Sequence, residues 1–422
     1  MPDAALPLAG VRVLELAGLA PVPFAGLVLS DFGADVVRVD RADAAFNPDV
    51  LTRGKRSLAV SLKSVEGLAV IRKLLEPASS SSDWRADILL DPFRPGVLKR
   101  LGLDPEELLR INPRLIIASI TGFRRTGPYS KSAGHDINYL AASGVLSMLG
   151  RSDDKPYAPA NLLSDFAGGG LLAVVGILAA LFEREKSGKG QIVEADMITG
   201  TRYAATFALL MSHKSLAAAR NSLGDGLWDK PRGQNILDGG APWYDVYECQ
   251  DKGRYMSIGS IEPQFYKVFL DIFTRALPPS LVPHPPPSAA NQHNRATWPA
   301  LSAFLAAGFA SKPRDAWAAL FLGTDACCVP VLDKDEVDAR GAGPFEPDRE
   351  LSREDAAAGG GIPEAAPRLS RTPARAARQS EVFLEPGKDT LQVLREAGLG
   401  GETDELLKKG AVKAVQRGKA KL

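Results

Sequence analysis

The chain has 422 residues, with 51 basic against 50 acidic side chains and a formal net charge of +1. That length suits two or three domains with a sizeable core, and the balanced charge gives no global drive toward nucleic acid or an anionic membrane surface. Its three cysteines, Cys249, Cys327 and Cys328, form no disulfide framework and point to a reducing compartment; no basic-then-apolar leader precedes the first strand pattern.

In chain order, Val11 to Leu16 is a short β-branched run that reads as a strand. Pro21 to Asp31 follows as a helix, with prolines in its first turn and Gly33 just past its end. Asp35 to Asp40 and Ser57 to Leu62 are the next strands, and Val65 to Leu75 is an amphipathic helix. Ala86 to Leu90 and Leu115 to Thr121 are two more strands, separated by helical patterns. This alternation predicts an α/β fold with a parallel, doubly wound sheet, in which ligands bind beyond the carboxyl ends of the strands. Phe166 to Phe182 is uncharged, but it is short for a bilayer span and opens with three glycines; it is expected to be a buried core helix. Loop residues dominate from Gly226 to Pro242. A second mixed segment follows, with strand-like Tyr255 to Ile258, helical Gln264 to Phe273 and strand-like Val329 to Leu332. Leu277 to Pro287 is Pro-rich, and Glu354 to Ala377 is rich in Ala, Gly, Arg and Pro; both read as loops.

No G-x-G-x-x-G follows the first strand, so a standard dinucleotide fingerprint is absent. The second strand ends in Asp40-Arg41, where such sheets read an adenosine ribose, and an arginine there suits a ribose phosphate. Arg94 follows the fourth strand, Arg100 lies six residues on, and Arg53, Lys55 and Arg56 make a further cationic patch. Each is equally readable as a solvated surface charge. In Gly134-His135-Asp136-Ile137-Asn138-Tyr139 a histidine stands at a helix start, and Asp165 is the lone charge at the mouth of the apolar segment. Two titratable groups in unlike environments suit acid and base roles. His135 is also readable as a structural cap, Asp165 as the N-cap of the helix from Phe166, and Glu262 as a first-turn helix residue.

Several long, ordered motifs carry a resemblance. They are Leu14-Glu15-Leu16-Ala17-Gly18-Leu19-Ala20-Pro21, Asp31 to Arg41, Arg53-Gly54-Lys55-Arg56-Ser57-Leu58, Gly134 to Tyr139, Leu162 to Gly170, Arg232-Gly233-Gln234-Asn235, Ile261 to Tyr266 and Gly323 to Cys327. Over about residues 8 to 335 the chain resembles the α-methylacyl-CoA racemases of the class III CoA-transferase superfamily. The resemblance implies an interlocked homodimer whose chains each have a Rossmann-like large domain and a smaller α/β domain. The large domain would take residues 1–213, the linker and small domain 214–323, and a return to the large domain 324–422. It implies that His135 and Asp165 are the catalytic pair and that Glu262 is a carboxylate near the site. Arg41, Arg94 and Arg100 would meet coenzyme A phosphates. Ala59, Val60, Ser61 and Leu62 would lie on the adenine side. Gly134, Asp136 and Tyr139 would lie on the pantetheine and thioester side.

The implied reaction epimerises a 2-methylacyl-CoA through an enolate, with one proton-transfer group on each face and no cofactor beyond the coenzyme A of the substrate. The alternatives are a CoA-transferase in which Asp165 attacks the thioester, and a non-catalytic CoA-binding protein. Two departures stand out: Arg124-Arg125 where the family has Gly-Gln, placing positive charge near the acyl path, and Asp91 where glutamate is common. The chain ends Ala420-Lys421-Leu422, close to the Ser-Lys-Leu signal read by the peroxisomal import receptor, so residence in the peroxisome is the expectation.

Overall fold

A computed structural model of the chain describes residues 6–80, 83–213, 227–334, 336, 363–375 and 382–415. The chain divides into two compact units. The first comprises Met1–Ser143, Pro159–Ala204 and Asp348–Leu422, and the second Gly144–Ala158 and Ala205–Pro347.

The first unit is built on a seven-stranded sheet. Its strands are β1 (Arg12–Leu16), β2 (Asp35–Arg41), β3 (Arg56–Val60), β4 (Ile88–Asp91), β5 (Ile116–Thr121), β6 (Ile192–Asp196) and the C-terminal β10 (Val412–Lys413), in the order β10-β3-β2-β1-β4-β5-β6. The first six pair in parallel, as the strand–helix alternation predicts, and β10 adds an antiparallel edge. Alternate residues feed two cores. Leu14, Leu16, Val37 and Leu58 face one way, packing with Ile71 and Leu74 of α2 (Val65–Leu75). Val13, Val36 and Ile88 face the other, against Val22 and Leu29 of α1 (Pro21–Asp31). Burial on both faces explains why these strands are apolar throughout. Both α1 and α2 keep the predicted limits, set by Pro21 and Pro23 in the first turn of α1 and by the Ser64 cap of α2.

The apolar segment differs from its expectation. It is a π-helix over Leu162–Leu171 running on into an α-helix over Leu172–Ser187, and it is only partly buried. Leu171, Val175, Leu178 and Phe182 are exposed along one stripe. By length and composition this helix could cross a bilayer, yet 39% of its most apolar window is buried against the rest of the chain.

The second unit holds an antiparallel sheet of β7 (Tyr244–Glu248), β8 (Tyr255–Gly259) and β9 (Cys328–Val331), in the order β7-β8-β9. Trp243, Phe269, Phe273, Phe309 and Trp317 fill its core, Phe273 stacking on Trp317 at 5.0 Å. Because β9 pairs with β8, this unit extends past residue 324, where a return to the large domain was expected, and it also takes in Gly144–Ala158. Of the two expected loops, 277–287 carries only a short 3-10 turn at Pro279–Leu281, and the described part of the second, 363–375, has no helix or strand.

Candidate active site

The order β3-β2-β1-β4-β5-β6 turns back between β1 and β4, and such a switch point opens a crevice at the carboxyl ends of the strands. The chain leaves β1 through Ala17-Gly18-Leu19 and β4 through Pro92-Phe93-Arg94. The two segments approach so closely that a Cβ on Gly18 would lie 2.5 Å from Cβ of Pro92. A cleft of about 430 Å³ opens here, lined by Gly18, Arg94, Phe123, Gly134, His135, Tyr139 and Asp165 among others. A second cavity of about 790 Å³ lies across the ends of β2 and β3, lined by Arg41, Val60, Ser61, Leu62, Lys63 and the C-terminal Val412-Lys413. Ala17 and Phe93 line both, so the two cavities are neighbours.

His135 is the extended residue that starts the short helix α5 (Asp136–Ala142), its backbone N–H held by Oδ1 of Asn138 at 3.1 Å. Its imidazole is exposed in the cleft. The phenol of Tyr139 donates to the Gly134 carbonyl, and its ring fills the space a Cβ on Gly122 would need, 2.0 Å away. Asp165 lines the same cleft from the first turn of the π-helix. Such widened turns are frequent at functional sites. The helix is seated by glycine: a Cβ on Gly200 would lie 1.8 Å from the Gly168 carbonyl oxygen. Asp165 is therefore not a helix N-cap; Asn161 precedes the helix, and its amide donates to Asp165 Oδ2 at 3.4 Å. Half-burial pushes the Asp165 carboxyl above the ordinary carboxylate range, with Asp136 adding to the rise and Asn161 and His135 opposing it. His135 and Asp165 thus face one cavity as a solvated imidazole and a half-desolvated carboxyl.

Asp136 does not line the cleft. It is buried, and its Oδ2 accepts from the backbone N–H groups of Ser164 and Asp165, each at 2.7 Å. It ties the helix that follows His135 to the turn that carries Asp165. The two amides are among those a helix leaves without an internal acceptor.

The structure separates the other predicted residues. Arg94 lines the cleft, with Nη1 donating to the Lys131 carbonyl at 3.0 Å. Arg41 lines the second cavity, where one edge of its guanidinium, Nε and Nη2, donates to the two carboxylate oxygens of Asp43 at 2.9 and 2.7 Å. Val60, Ser61 and Leu62 line that cavity too. Ala59 is wholly buried within the sheet, where its N–H reaches Thr390 Oγ1 at 3.1 Å, and it lines neither cavity. Arg100 is exposed in the four-residue helix α3 (Val97–Arg100), also outside both. Glu262 belongs to the second unit, where it precedes the helix Pro263–Ala276 and raises the pKa of nearby Cys327 behind the larger effect of burial.

The expected cationic patch is an internal framework instead. Lys55 is buried against Glu15 at 2.8 Å, Arg53 pairs with Asp31 at 2.6 Å, and Arg56 pairs with Asp35 and Glu396. Buried charges require partners of this kind. Arg124 donates to Thr199 Oγ1 at 3.1 Å and Arg125 pairs with Glu194 at 3.2 Å. Beneath the floor, Asp91 accepts from the Phe93 N–H at 2.8 Å and from Ser119 Oγ at 3.1 Å; burial pushes its pKa to about 6. Sequence reasoning missed Lys63 and Lys413 in the second cavity. A two-residue edge strand gives no periodic signal, so nothing in the sequence joins Lys413 to Arg41.

The chain belongs to CoA-transferase family III, whose description matches residues 8–380. It is 44% identical over 421 residues to an α-methylacyl-CoA racemase of Mus musculus, covering 98% of this chain and 99% of that one. The identity with an α-methylacyl-CoA racemase of Homo sapiens is 42%, over 96% of this chain and 99% of the other. A succinate–glutarate CoA-transferase of Agrobacterium fabrum is 35% identical over 47% of this chain and 52% of its own length. Among solved structures, a CaiB/BaiF family protein from Brucella suis shares the fold with a TM-score of 0.67 at 24% identity, covering 93% of this chain and all of that one. A Mycobacterium tuberculosis protein matches with a TM-score of 0.60 at 27% identity, over 80% of this chain and 86% of its own.

Proposed function

We propose that this chain is an isomerase that epimerises the α-carbon of 2-methyl-branched acyl-CoA thioesters. The observation that carries this reading is the shared cleft: His135 and Asp165 line one cavity at the switch point, beside a second cavity of about 790 Å³. Near-full-length similarity to two α-methylacyl-CoA racemases supports the substrate class. A thioester acidifies its α-proton. One group takes the proton from one face, and the other returns a proton to the opposite face of the planar enolate. In the reverse direction the roles exchange. The raised pKa of Asp165 lets it hold a proton at higher pH than an ordinary carboxyl, as the donor role requires. The coenzyme A is part of the substrate, and the scheme uses no further cofactor. Exchange of the α-proton of a 2-methylacyl-CoA for deuterium tests the reading. His135→Ala and Asp165→Ala are each expected to slow exchange by about 10²-fold or more. Unimpaired exchange in either variant overturns the pair. A covalent adduct on Asp165 would instead favour CoA transfer, the activity named for other members of the family.

The chain acts in this proposal as a homodimer. The exposed stripe of Leu171, Val175, Leu178 and Phe182 supports an apolar protein contact, since monomers rarely leave such stripes uncovered. Sedimentation is expected to give a dimer; an active monomer at sub-micromolar concentration refutes it. Residence in the peroxisome rests on Ala420-Lys421-Leu422, which lies outside the described residues. An N-terminally tagged chain is expected to lose punctate localisation without those three residues, and retention would show that another signal operates.

A further inference from the structure

Two sets of contacts hold the widened turn that carries Asp165. Asp136 takes its first amides. The second set comes from the helix Met197–Ala204, which follows β6 and is fixed at its start, where the Thr199 N–H donates to Asp196 Oδ1 at 2.8 Å. Here the two helices meet backbone to backbone. A Cβ on Gly200 would clash with the Gly168 carbonyl, and a Cβ on Gly168 would lie 2.6 Å from the Thr201 nitrogen and 2.7 Å from its Oγ1. A Cβ on Gly169 would meet Cγ of Met197 at 3.0 Å. Next to this contact the hydroxyls of Ser164 and Thr201 share a hydrogen bond of 2.9 Å, and both residues are buried. Ser164 immediately precedes Asp165. Met197 and Asp165 line the cleft, whereas Gly200 and Thr201 do not.

We infer, on the epimerase reading above, that Thr201 with Gly200 beside it is a positioning residue for Asp165, setting proton transfer on the Asp165 face without touching substrate. A π-turn closes each hydrogen bond one residue further along than an α-turn, so its side chains leave the axis in different directions. The direction in which Asp165 projects therefore depends on how the turn over Leu162–Leu171 is held open. Glycine at 168 and 200 lets the helix Met197–Ala204 approach close enough to hold it, and the hydroxyl pair fixes the turn at Ser164. A hydroxyl buried without a partner is unfavourable, so Ser164 and Thr201 keep each other in one arrangement. Asp165, one residue on, is then presented to the cleft in a single pose. His135 stands on a different element, the start of α5, and makes no contact of this kind. A disturbance at Thr201 therefore acts on one of the two proton-transfer groups and spares the other.

The test uses this asymmetry. The full chain is incubated in deuterium oxide with each epimer of a 2-methylacyl-CoA separately, and deuterium is followed into the recovered starting epimer. For one epimer the Asp165 carboxylate takes the α-proton, exchanges it with solvent and returns a deuteron to the same face; for the other, His135 does so. Asp165→Ala, which depresses one epimer more than the other, identifies the Asp165 epimer. Thr201→Val keeps the shape and removes the hydroxyl. It is expected to slow exchange of the Asp165 epimer about tenfold relative to the other, as a small misplacement of a reacting group does. Thr201→Ser is expected to restore the wild-type ratio. A general loss of folded enzyme slows both epimers alike and leaves the ratio in place, so equal slowing, or none, overturns the role of Thr201. A crystal structure of Thr201→Val supplies the second readout: the Asp165 carboxyl is expected to shift by about 0.5 Å or more, with His135 in place. An unmoved carboxyl overturns the positioning role whatever reaction the enzyme performs. A wild type that exchanges neither epimer, together with a shifted carboxyl in the variant, would sink the epimerase reading and leave Thr201 as the residue that seats Asp165.

Discussion

Asp136 is the residue on which the reactive geometry is expected to depend most without taking part in it. Replacing it with alanine removes the single oxygen that accepts from the backbone N–H groups of both Ser164 and Asp165. Each amide left without a partner away from water costs about 1–3 kcal/mol, so Asp136→Ala is expected to lower stability by about 2–6 kcal/mol. Half of that lies at the amide of Asp165 itself, so the first turn of the π-helix loses its tether and the carboxyl shifts in the cleft. A small displacement of a positioned proton-transfer group is enough to lower α-proton exchange by about 10²-fold. Asp136→Asn retains an acceptor oxygen and loses only the charge, and it is expected to fall between the two in both measures. Urea unfolding followed in parallel with deuterium exchange at the α-carbon checks both. If Asp136→Ala unfolds at the wild-type midpoint and exchanges at the wild-type rate, the tether is not what sets the position of Asp165.

Two further outcomes follow from the carboxyl groups. Asp91 holds its proton to about pH 6 in the folded chain against an ordinary 3.8, so below pH 3.8 folding neither gains nor loses by it. As pH rises through 6 the folded chain must ionise a buried carboxyl, and roughly two units at about 1.4 kcal/mol each make a penalty of up to about 3 kcal/mol at neutral pH. Asp91→Asn is therefore expected to raise the unfolding midpoint at pH 7.5, with the gain vanishing near pH 3.5; an equal gain at both pH values would refute this origin. Asn161→Ala removes a hydrogen bond that lowers the Asp165 pKa. In the direction where Asp165 must be ionised to act as base, the acidic limb of the kcat/KM profile is expected to move to higher pH, and a shift to lower pH would contradict the assignment.

The local chemistry of the first unit was open to reading. Pro21, Pro23 and Gly33 bound α1 because proline fits a first helical turn and glycine accepts the positive φ that ends it, and the apolar strands announced a sheet buried on both faces. His135 and Asp165 stand out in the sequence as local contrasts, a histidine at a helix start and a lone carboxylate in an apolar run, and the fold sets both on one cleft. What the sequence by itself could not supply was partnership. Arg53, Lys55 and Arg56 look like a free cationic patch until the fold sets Asp31, Glu15 and Asp35 against them. Asp136 looks like a neighbour of the substrate until its carboxylate is found facing the amides of Ser164 and Asp165. As far as Phe182 the helix after Asp165 is apolar all round, and composition does not say which apolar stripe meets the sheet and which stays exposed. Lys413 reaches the second cavity only because an antiparallel edge strand pairs with β3, a contact some 350 residues distant in sequence. Backbone propensity acts over a few residues and leaves its mark in the order of side chains. Ion pairs, tethers and cavity walls form between segments whose proximity is decided by sheet order, and only the folded chain specifies it.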